Sequence, residues 1–192
     1  MRYPESAFGE QWVSRAFHRA FFQSFFDCAI LTTMKPKVYI ETTVVSYYTS
    51  WPSRDVVIAG HQQVTRDWWL HRLPLFDGAI SELVLEEAGR GDPQAAKTRL
   101  DALAGFPVLM PSSEAVQIAK AMTEQRLVPG EYVNDAIHIS IAATNGIDYM
   151  VTWNCKHLAN ALTRGRLVGL IETFGYESPV ICTPEELMED VL

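Results

Sequence analysis

The candidate catalytic residues of this chain are acids and one amide, located at the ends of predicted strands and on predicted helices, where their side chains would have fixed positions. Glu41 ends an apolar, strand-like run, and Glu87 lies on the inner side of a predicted helix. Asp135 opens a predicted apolar helix, and Asn154 ends another strand-like run. If these four points converge, they supply the oxygen donors that a hard divalent cation prefers. The sequence therefore predicts a small acidic metal site.

Helical phase separates Glu87 from the acids beside it. At about 3.6 residues per turn, Glu82, Glu86 and Arg90 share one face, which is typical of a solvated stripe. Glu87 points towards the opposite, apolar side, where an unpaired charge is costly. We therefore expect Glu87 to have a cationic partner. The alternative is a partly exposed position at the edge of the core.

Each candidate also has a simpler structural explanation. Glu41 could be a solvated strand end or the cap of the next segment, and Asp135 could serve only as a partner of the helix dipole. Asn154 could be a turn residue. His138, one turn after Asp135, could be a hydrogen-bonded core residue. For His138 we favour a role behind the metal ligands or against the substrate over metal ligation.

Strand-like and helical patterns alternate along the chain beyond residue 37. Predicted strands cover residues 38–40, 75–80, 107–109, 148–153 and 180–182; predicted helices cover 54–73, 82–90, 93–104, 113–126, 132–145, a stretch from about 156 and a terminal stretch from about 184. This alternation predicts an α/β fold with a central, mostly parallel sheet flanked by helices. Ligands of such sheets gather at the carboxyl ends of the strands. No glycine-rich dinucleotide or P-loop motif follows a strand, which excludes those two classes.

Composition and charge narrow the class of protein. The net charge of −7 is concentrated in residues 172–192, which hold six acids and no Lys or Arg, so the rest of the chain is near −1. This distribution does not exclude an anionic substrate. Three cysteines without C-x-x-C spacing argue against disulfides and zinc, and no apolar run has the length of a membrane span. We expect a reduced, cytoplasmic protein.

Residues 1–33 differ from the rest of the chain. Phe17, Phe21 and Phe25 recur every four residues, as on one face of an amphipathic helix. Arg15 and Arg19 interrupt the aromatic stretch, and no cleavage site follows it, so it is not a secretory signal. We expect the functional domain to cover residues 34–192. Residues 1–33 are then either an upstream extension or a docking helix.

Three blocks of sequence stand in order along this domain: YIETTVVSYY, SELVLEEAG and NDAIHISIAATNGIDYMVTWNCKHLAN. Together they resemble the PIN-domain family, and within it the VapC-like toxin ribonucleases of toxin–antitoxin pairs. The first block is similar to the family's opening strand, which ends in an acid. The second is similar to the helix that carries the family's second acid, and Glu87 stands at that position. The third is similar to the family's helix followed by a strand that ends in Thr-x-Asp/Asn. The resemblance spans about residues 37–183. It implies a PIN-like three-layer fold.

The resemblance also implies a metal-dependent endoribonuclease. Glu41, Glu87 and Asp135 would hold Mg²⁺ or Mn²⁺, and Asn154 would complete the catalytic set. A water activated by the metal would attack phosphorus in line and leave a 3′-hydroxyl and a 5′-phosphate. RNA as substrate, a cognate antitoxin as partner and a homodimer follow from the same resemblance.

The same resemblance suggests roles for residues behind the acids. Thr42, Thr43 and Thr152 would orient the ligands or a water, and His138 would act beside them or contact the substrate. Crowded like charges repel, so we further expect that neutralising Glu87 or Asp135 leaves the protein folded and stabilises its metal-free form.

Two positions depart from the family pattern. The first acid is usually Asp, and Glu41 reaches one methylene further; the fourth position is often Asp, and Asn154 lacks the charge. These departures favour one well-occupied metal site over two. They also leave open an alternative, a PIN-like fold too poor in acid to cut RNA and kept for binding RNA or protein. A small-phosphate hydrolase is a weaker alternative, because no D-x-D motif follows the first strand.

Overall fold

The structure is a computed structural model that describes residues 34–156, 158 and 161–189. The predicted extension over residues 1–33 lies outside this part of the chain. The residues from Pro36 onward belong to one compact unit.

A parallel sheet of five strands forms the centre of this unit, in the order β3–β2–β1–β4–β5. The strands are β1 (Lys37–Ile40), β2 (Asp77–Ser81), β3 (Val108–Leu109), β4 (Tyr149–Val151) and β5 (Val180–Cys182). In the register, Tyr39 of β1 is opposite Ala79 on one side and Met150 on the other. Because β1 is the middle strand, a residue that follows it lies at the centre of the sheet's carboxyl edge.

Seven α-helices among the described residues flank the sheet. They are α1 (Thr42–Thr49), α2 (Val56–His71), α3 (Glu82–Ala88), α4 (Pro93–Leu103), α5 (Ser113–Glu124), α6 (Val133–Thr144) and α7 (Ala161–Thr173). The core combines β1 with the apolar centre of α6, in which Ile139 and Ile141 are fully buried. The predicted α/β fold class, with a central parallel sheet flanked by helices, is confirmed.

Side-chain caps fix where the helices begin. Asp55, Ser81, Asp92 and Ser112 precede α2, α3, α4 and α5, and each accepts a hydrogen bond from a backbone amide in the first turn. Gly146 follows α6 with a φ of 62°, a conformation that favours glycine, and turns the chain into β4. These local signals place the helix starts close to the predicted boundaries.

The structure differs from the predicted pattern in two places. The segment after β1, for which no element was predicted, is helical, because Glu41 caps it and its Val44 and Val45 are buried, although its β-branched residues favour a strand. The predicted terminal helix from residue 184 is wrong: within the described residues it is only a 3-10 turn, Glu185–Leu187.

A search of the described residues finds no helix with the length and hydropathy needed to cross a membrane.

We predict that a truncated chain beginning at Met34 folds on its own, because the described core residues from Val38 to Cys182 form one cluster within a compact unit that begins at Pro36. The melting temperature should differ from that of the full chain by less than about 3 °C, which corresponds to about 1 kcal/mol at this chain length. Thermal unfolding of the two chains, followed by circular dichroism, measures the difference. A much larger loss would mean that residues 1–33 belong to the folded domain.

Candidate metal centre

Glu41 lies between β1 and α1 and is 5% exposed. Its Oε2 accepts hydrogen bonds from the amide of Thr43 at 3.1 Å, from the hydroxyl of Thr43, and from the hydroxyl of Thr152 at 2.7 Å. The hydrogen bond from the backbone amide of Thr43 makes Glu41 the N-cap of α1. The simpler explanation, that Glu41 caps the next segment, therefore holds in part. All three bonds end on Oε2, and no donor among the described residues reaches Oε1. That oxygen is therefore available to a ligand.

Glu87 lies in the last turn of α3 with its side chain 19% exposed. Glu86 beside it is 61% exposed and pairs with Arg90, so the helical phase agrees with the predicted one. Glu87 Oε2 accepts from the hydroxyl of Thr42 at 2.6 Å and lies 3.1 Å from His138 Nε2. Its Oε1 accepts from Asn134 Nδ2 at 2.8 Å. Three side chains from two helices therefore hold this carboxylate.

These contacts determine the charge of Glu87. Burial opposes ionisation, but hydrogen bonds from His138, Thr42 and Asn134 outweigh it and lower the pKa of Glu87 to about 2. The surroundings thus favour the carboxylate over the neutral acid. The lowered pKa argues against the expectation that neutralising Glu87 stabilises the metal-free protein, because the donors around this residue favour its charged form.

His138 lies in the middle of α6 and is 1% exposed. Its Nε2 faces Glu87, and its Nδ1 lies 2.6 Å from the hydroxyl oxygen of Tyr39. Ligand atoms of Glu41, Glu87 and His138 all lie within 4.8 Å of one another, so the three could together surround a metal ion. Both ring nitrogens already have partners, which favours the expected role behind the ligands over direct ligation.

Asp135 lies in the first turn of α6, where its Oδ2 accepts from Asn154 Nδ2 at 3.1 Å. It is not a member of the group formed by Glu41, Glu87 and His138. The amide of Asn154 donates to Thr152 Oγ1 at 2.9 Å, and that hydroxyl donates to Glu41. The pair of Asp135 and Asn154 is therefore tied to Glu41 through Thr152.

The three threonines expected behind the acids all contact carboxylates: Thr42 donates to Glu87, and Thr43 and Thr152 donate to Glu41. Sequence reasoning did not single out Asn134 or Tyr39. Asn134 precedes Asp135 in a helical first turn, where asparagine is common for other reasons. Tyr39 carried a usable signal, since a buried tyrosine hydroxyl needs a partner.

The donor set suits a hard divalent cation such as Mg²⁺ or Mn²⁺. The oxygens of Glu41 and Glu87 converge, one of them has no donor from the described residues, and the side chains behind them are neutral donors. Carboxylates held by hydrogen bonds from behind are a common feature of metal sites. Glu41 and Glu87 are the residues that would hold the ion.

No protein-family model and no curated protein sequence matches this chain. Among solved structures, it is similar to the crystal structure of VapBC2 from Rickettsia felis bound to a DNA fragment from their promoter. The sequence identity is 16%, the TM-score is 0.42, and the match covers 66% of this chain and 93% of the other.

The lowered pKa of Glu87 predicts how its contribution to stability changes with pH. The folded-state pKa of about 2 lies below the ordinary 4.5, so the stabilisation is complete above about pH 5 and is lost as the pH falls towards 2. At pH 7 in chelator, Glu87→Gln should lower the free energy of unfolding by about 1–3 kcal/mol. The difference from wild type should shrink as the pH falls from 5 to 3, as measured by urea unfolding.

Glu86→Gln is the matched control, because its carboxylate is exposed and paired only with Arg90 on the surface. It should differ little from wild type at any of these pH values. A Glu87→Gln protein that is more stable than wild type at pH 7 would contradict this account of its surroundings.

The bond between Asn154 and Asp135 gives a second prediction. Asn154→Asp replaces the donor with a second carboxylate, so it should tighten Mn²⁺ binding and lower the melting temperature in chelator. Asn154→Ala removes the donor without adding charge, so it should lower the melting temperature without tightening Mn²⁺ binding. Calorimetric Mn²⁺ titration and thermal unfolding measure both effects. If all three forms bind and melt alike, Asn154 is only a turn residue.

Proposed function

We propose that this chain is a metal-dependent endoribonuclease of the VapC-like kind and the toxin of a toxin–antitoxin pair. The observation that carries the proposal is the convergence of Glu41 and Glu87 from two separate elements, with Glu41 Oε1 free of donors from the described residues. The resemblance of the three sequence blocks suggests RNA cleavage as the reaction, and the two carboxylates would bind the metal ion that this reaction needs.

Each residue of the site has a task in this proposal. Glu41 and Glu87 would hold a divalent cation, which would supply a Lewis acid and a coordinated water of lowered pKa. Thr43 and Thr152 fix Glu41 Oε2 by hydrogen bonds and leave its Oε1 without a donor from the described residues. Thr42 keeps Glu87 in place and ionised.

Asp135 is the third acid of the proposed site. Asn154 donates to its Oδ2 and sets the orientation of the carboxylate. The proposed tasks of this pair are to complete the metal site and to orient the water that attacks phosphorus. We propose Mg²⁺ or Mn²⁺ as the metal, because every acidic candidate offers oxygen.

The partners and the domain boundaries are part of the same proposal. RNA as the substrate, a cognate antitoxin, a homodimer and a cytoplasmic location all rest on the resemblance of residues 37–183 to VapC-like toxins. The functional domain is proposed to cover residues 34–192, with residues 1–33 outside it.

The proposal predicts Mn²⁺-dependent cleavage of RNA by the purified protein. Glu87→Gln and Asp135→Asn should lower the cleavage rate by more than about 100-fold, because changes behind a metal ligand already cost about 10–100-fold. The assay incubates total RNA with each protein, with Mn²⁺ or with chelator, and maps the new ends. The products should carry 5′-phosphate and 3′-hydroxyl ends.

Glu86→Gln again serves as the control and should cleave at the wild-type rate, since its side chain is 61% exposed on the other face of α3. Cleavage by Glu87→Gln together with loss in Glu86→Gln would contradict the assigned site. A protein that binds RNA, gains no thermal stability from Mn²⁺ and cuts nothing would instead be the binding module. Faster turnover of a phosphomonoester than of RNA would indicate a phosphatase.

A further inference from the structure

A chain of buried hydrogen bonds leads away from Glu87 on the side opposite to solvent. Glu87 Oε2 lies 3.1 Å from His138 Nε2, and His138 Nδ1 lies 2.6 Å from Tyr39 Oη. Tyr39 Oη lies 2.6 Å from Ser81 Oγ, which in turn accepts from the amide of Val84 at 3.3 Å. Tyr39 and Ser81 are both fully buried. The chain joins β1, α6 and both ends of α3.

When His138 is neutral, the chemistry of the two ends fixes the direction of every bond in this chain. The ionised carboxylate of Glu87 only accepts, so the hydrogen between it and His138 must lie on Nε2. In a neutral imidazole Nδ1 is then an acceptor, and the hydroxyl of Tyr39 must donate to it. The oxygen of Tyr39 is left to accept from Ser81, whose own lone pair receives the amide of Val84.

Burial supports this direction. It raises the pKa of Tyr39 above its ordinary range, so the hydroxyl keeps its proton and remains a donor. With a neutral ring, each donor among the side chains of Ser81, Tyr39 and His138 faces an acceptor, and each acceptor faces a donor.

We propose that Tyr39 is a positioning residue that donates to His138 Nδ1, holds the imidazole as its Nε2–H tautomer, and makes His138 a fixed donor to Glu87 instead of a metal ligand. Of the three residues whose ligand atoms lie within 4.8 Å of one another, Glu41 and Glu87 are then the metal ligands. His138 is the hydrogen-bond donor that orients Glu87. Ser81 orients the hydroxyl of Tyr39 and also caps α3, the helix that carries Glu87. The consequence for metal binding rests on the proposed function, whereas the tautomer does not.

The tautomer is measured directly on ¹⁵N-labelled full-length protein at about pH 8, in chelator, by long-range ¹H–¹⁵N correlation. The signals of His138 are assigned by their loss in His138→Gln. Wild type should show hydrogen on Nε2 and none on Nδ1. Tyr39→Phe removes only the hydroxyl, so it should add a population with hydrogen on Nδ1. It should also weaken Mn²⁺ binding by about 10-fold, the lower end of the effect of residues behind metal ligands.

Tyr149→Phe is the matched control. Tyr149 is a half-buried tyrosine on the neighbouring strand β4; its ring packs edge-on against Phe76 at 5.9 Å, and among the described residues its hydroxyl has no hydrogen-bond partner. This variant should keep the wild-type His138 spectrum and Mn²⁺ affinity. The wild-type spectrum alone tests the direction of the chain, even if Tyr39→Phe proves unstable.

The inference is overturned if wild-type His138 carries hydrogen on Nδ1, or on both nitrogens, at this pH. It is also overturned if Tyr39→Phe keeps both the wild-type tautomer and the wild-type Mn²⁺ affinity. These results are separate from the proposed function. A protein that cuts no RNA but shows the Nε2–H tautomer, lost in Tyr39→Phe, refutes the function and leaves the positioning role standing.

Discussion

Two carboxylates lie close together at the carboxyl edge of the sheet, and like charges at that distance repel each other. Hydrogen bonds offset this repulsion: Thr43 and Thr152 donate to Glu41, while Thr42 and Asn134 donate to Glu87. The donors come from α1, α6 and the segment after β4. Because the four donors come from three different elements, the carboxylates stay in place only if the sheet and its helices pack as they do. The fold and the site therefore depend on the same contacts.

The first turn of α1 connects the two carboxylates. Successive residues on a helix point about 100° apart, so the hydroxyl of Thr42 reaches Glu87 while that of Thr43 reaches Glu41. Glu41 in turn caps this helix and thereby orients both threonines. A strand at this position would send the two side chains to opposite faces of the sheet and separate the acids from their donors.

The sequence predicts those features of the site that depend on local periodicity. Helical phase distinguishes Glu87 from Glu86, and the alternation of elements brings Glu41 and Thr152 to one edge of a parallel sheet. Contacts between distant segments could not be predicted in this way, because no local pattern indicates that Tyr39 meets His138, 99 residues away. The helix α1 was missed for a related reason: its β-branched residues favour a strand, and only the cap and the buried valines outweigh that preference.

The central claim is that Glu41 and Glu87 are held ready for a divalent cation, and anomalous X-ray scattering from crystals soaked in Mn²⁺ tests it most directly. We expect an anomalous peak at about 2 Å, a distance close to that of Mg²⁺–oxygen bonds, from Glu41 Oε1 and from a carboxylate oxygen of Glu87. We also expect that the imidazole of His138 stays hydrogen-bonded to Glu87 and does not coordinate the metal. A peak bound through His138, or no ordered peak beside these two glutamates at saturating Mn²⁺, would contradict this claim.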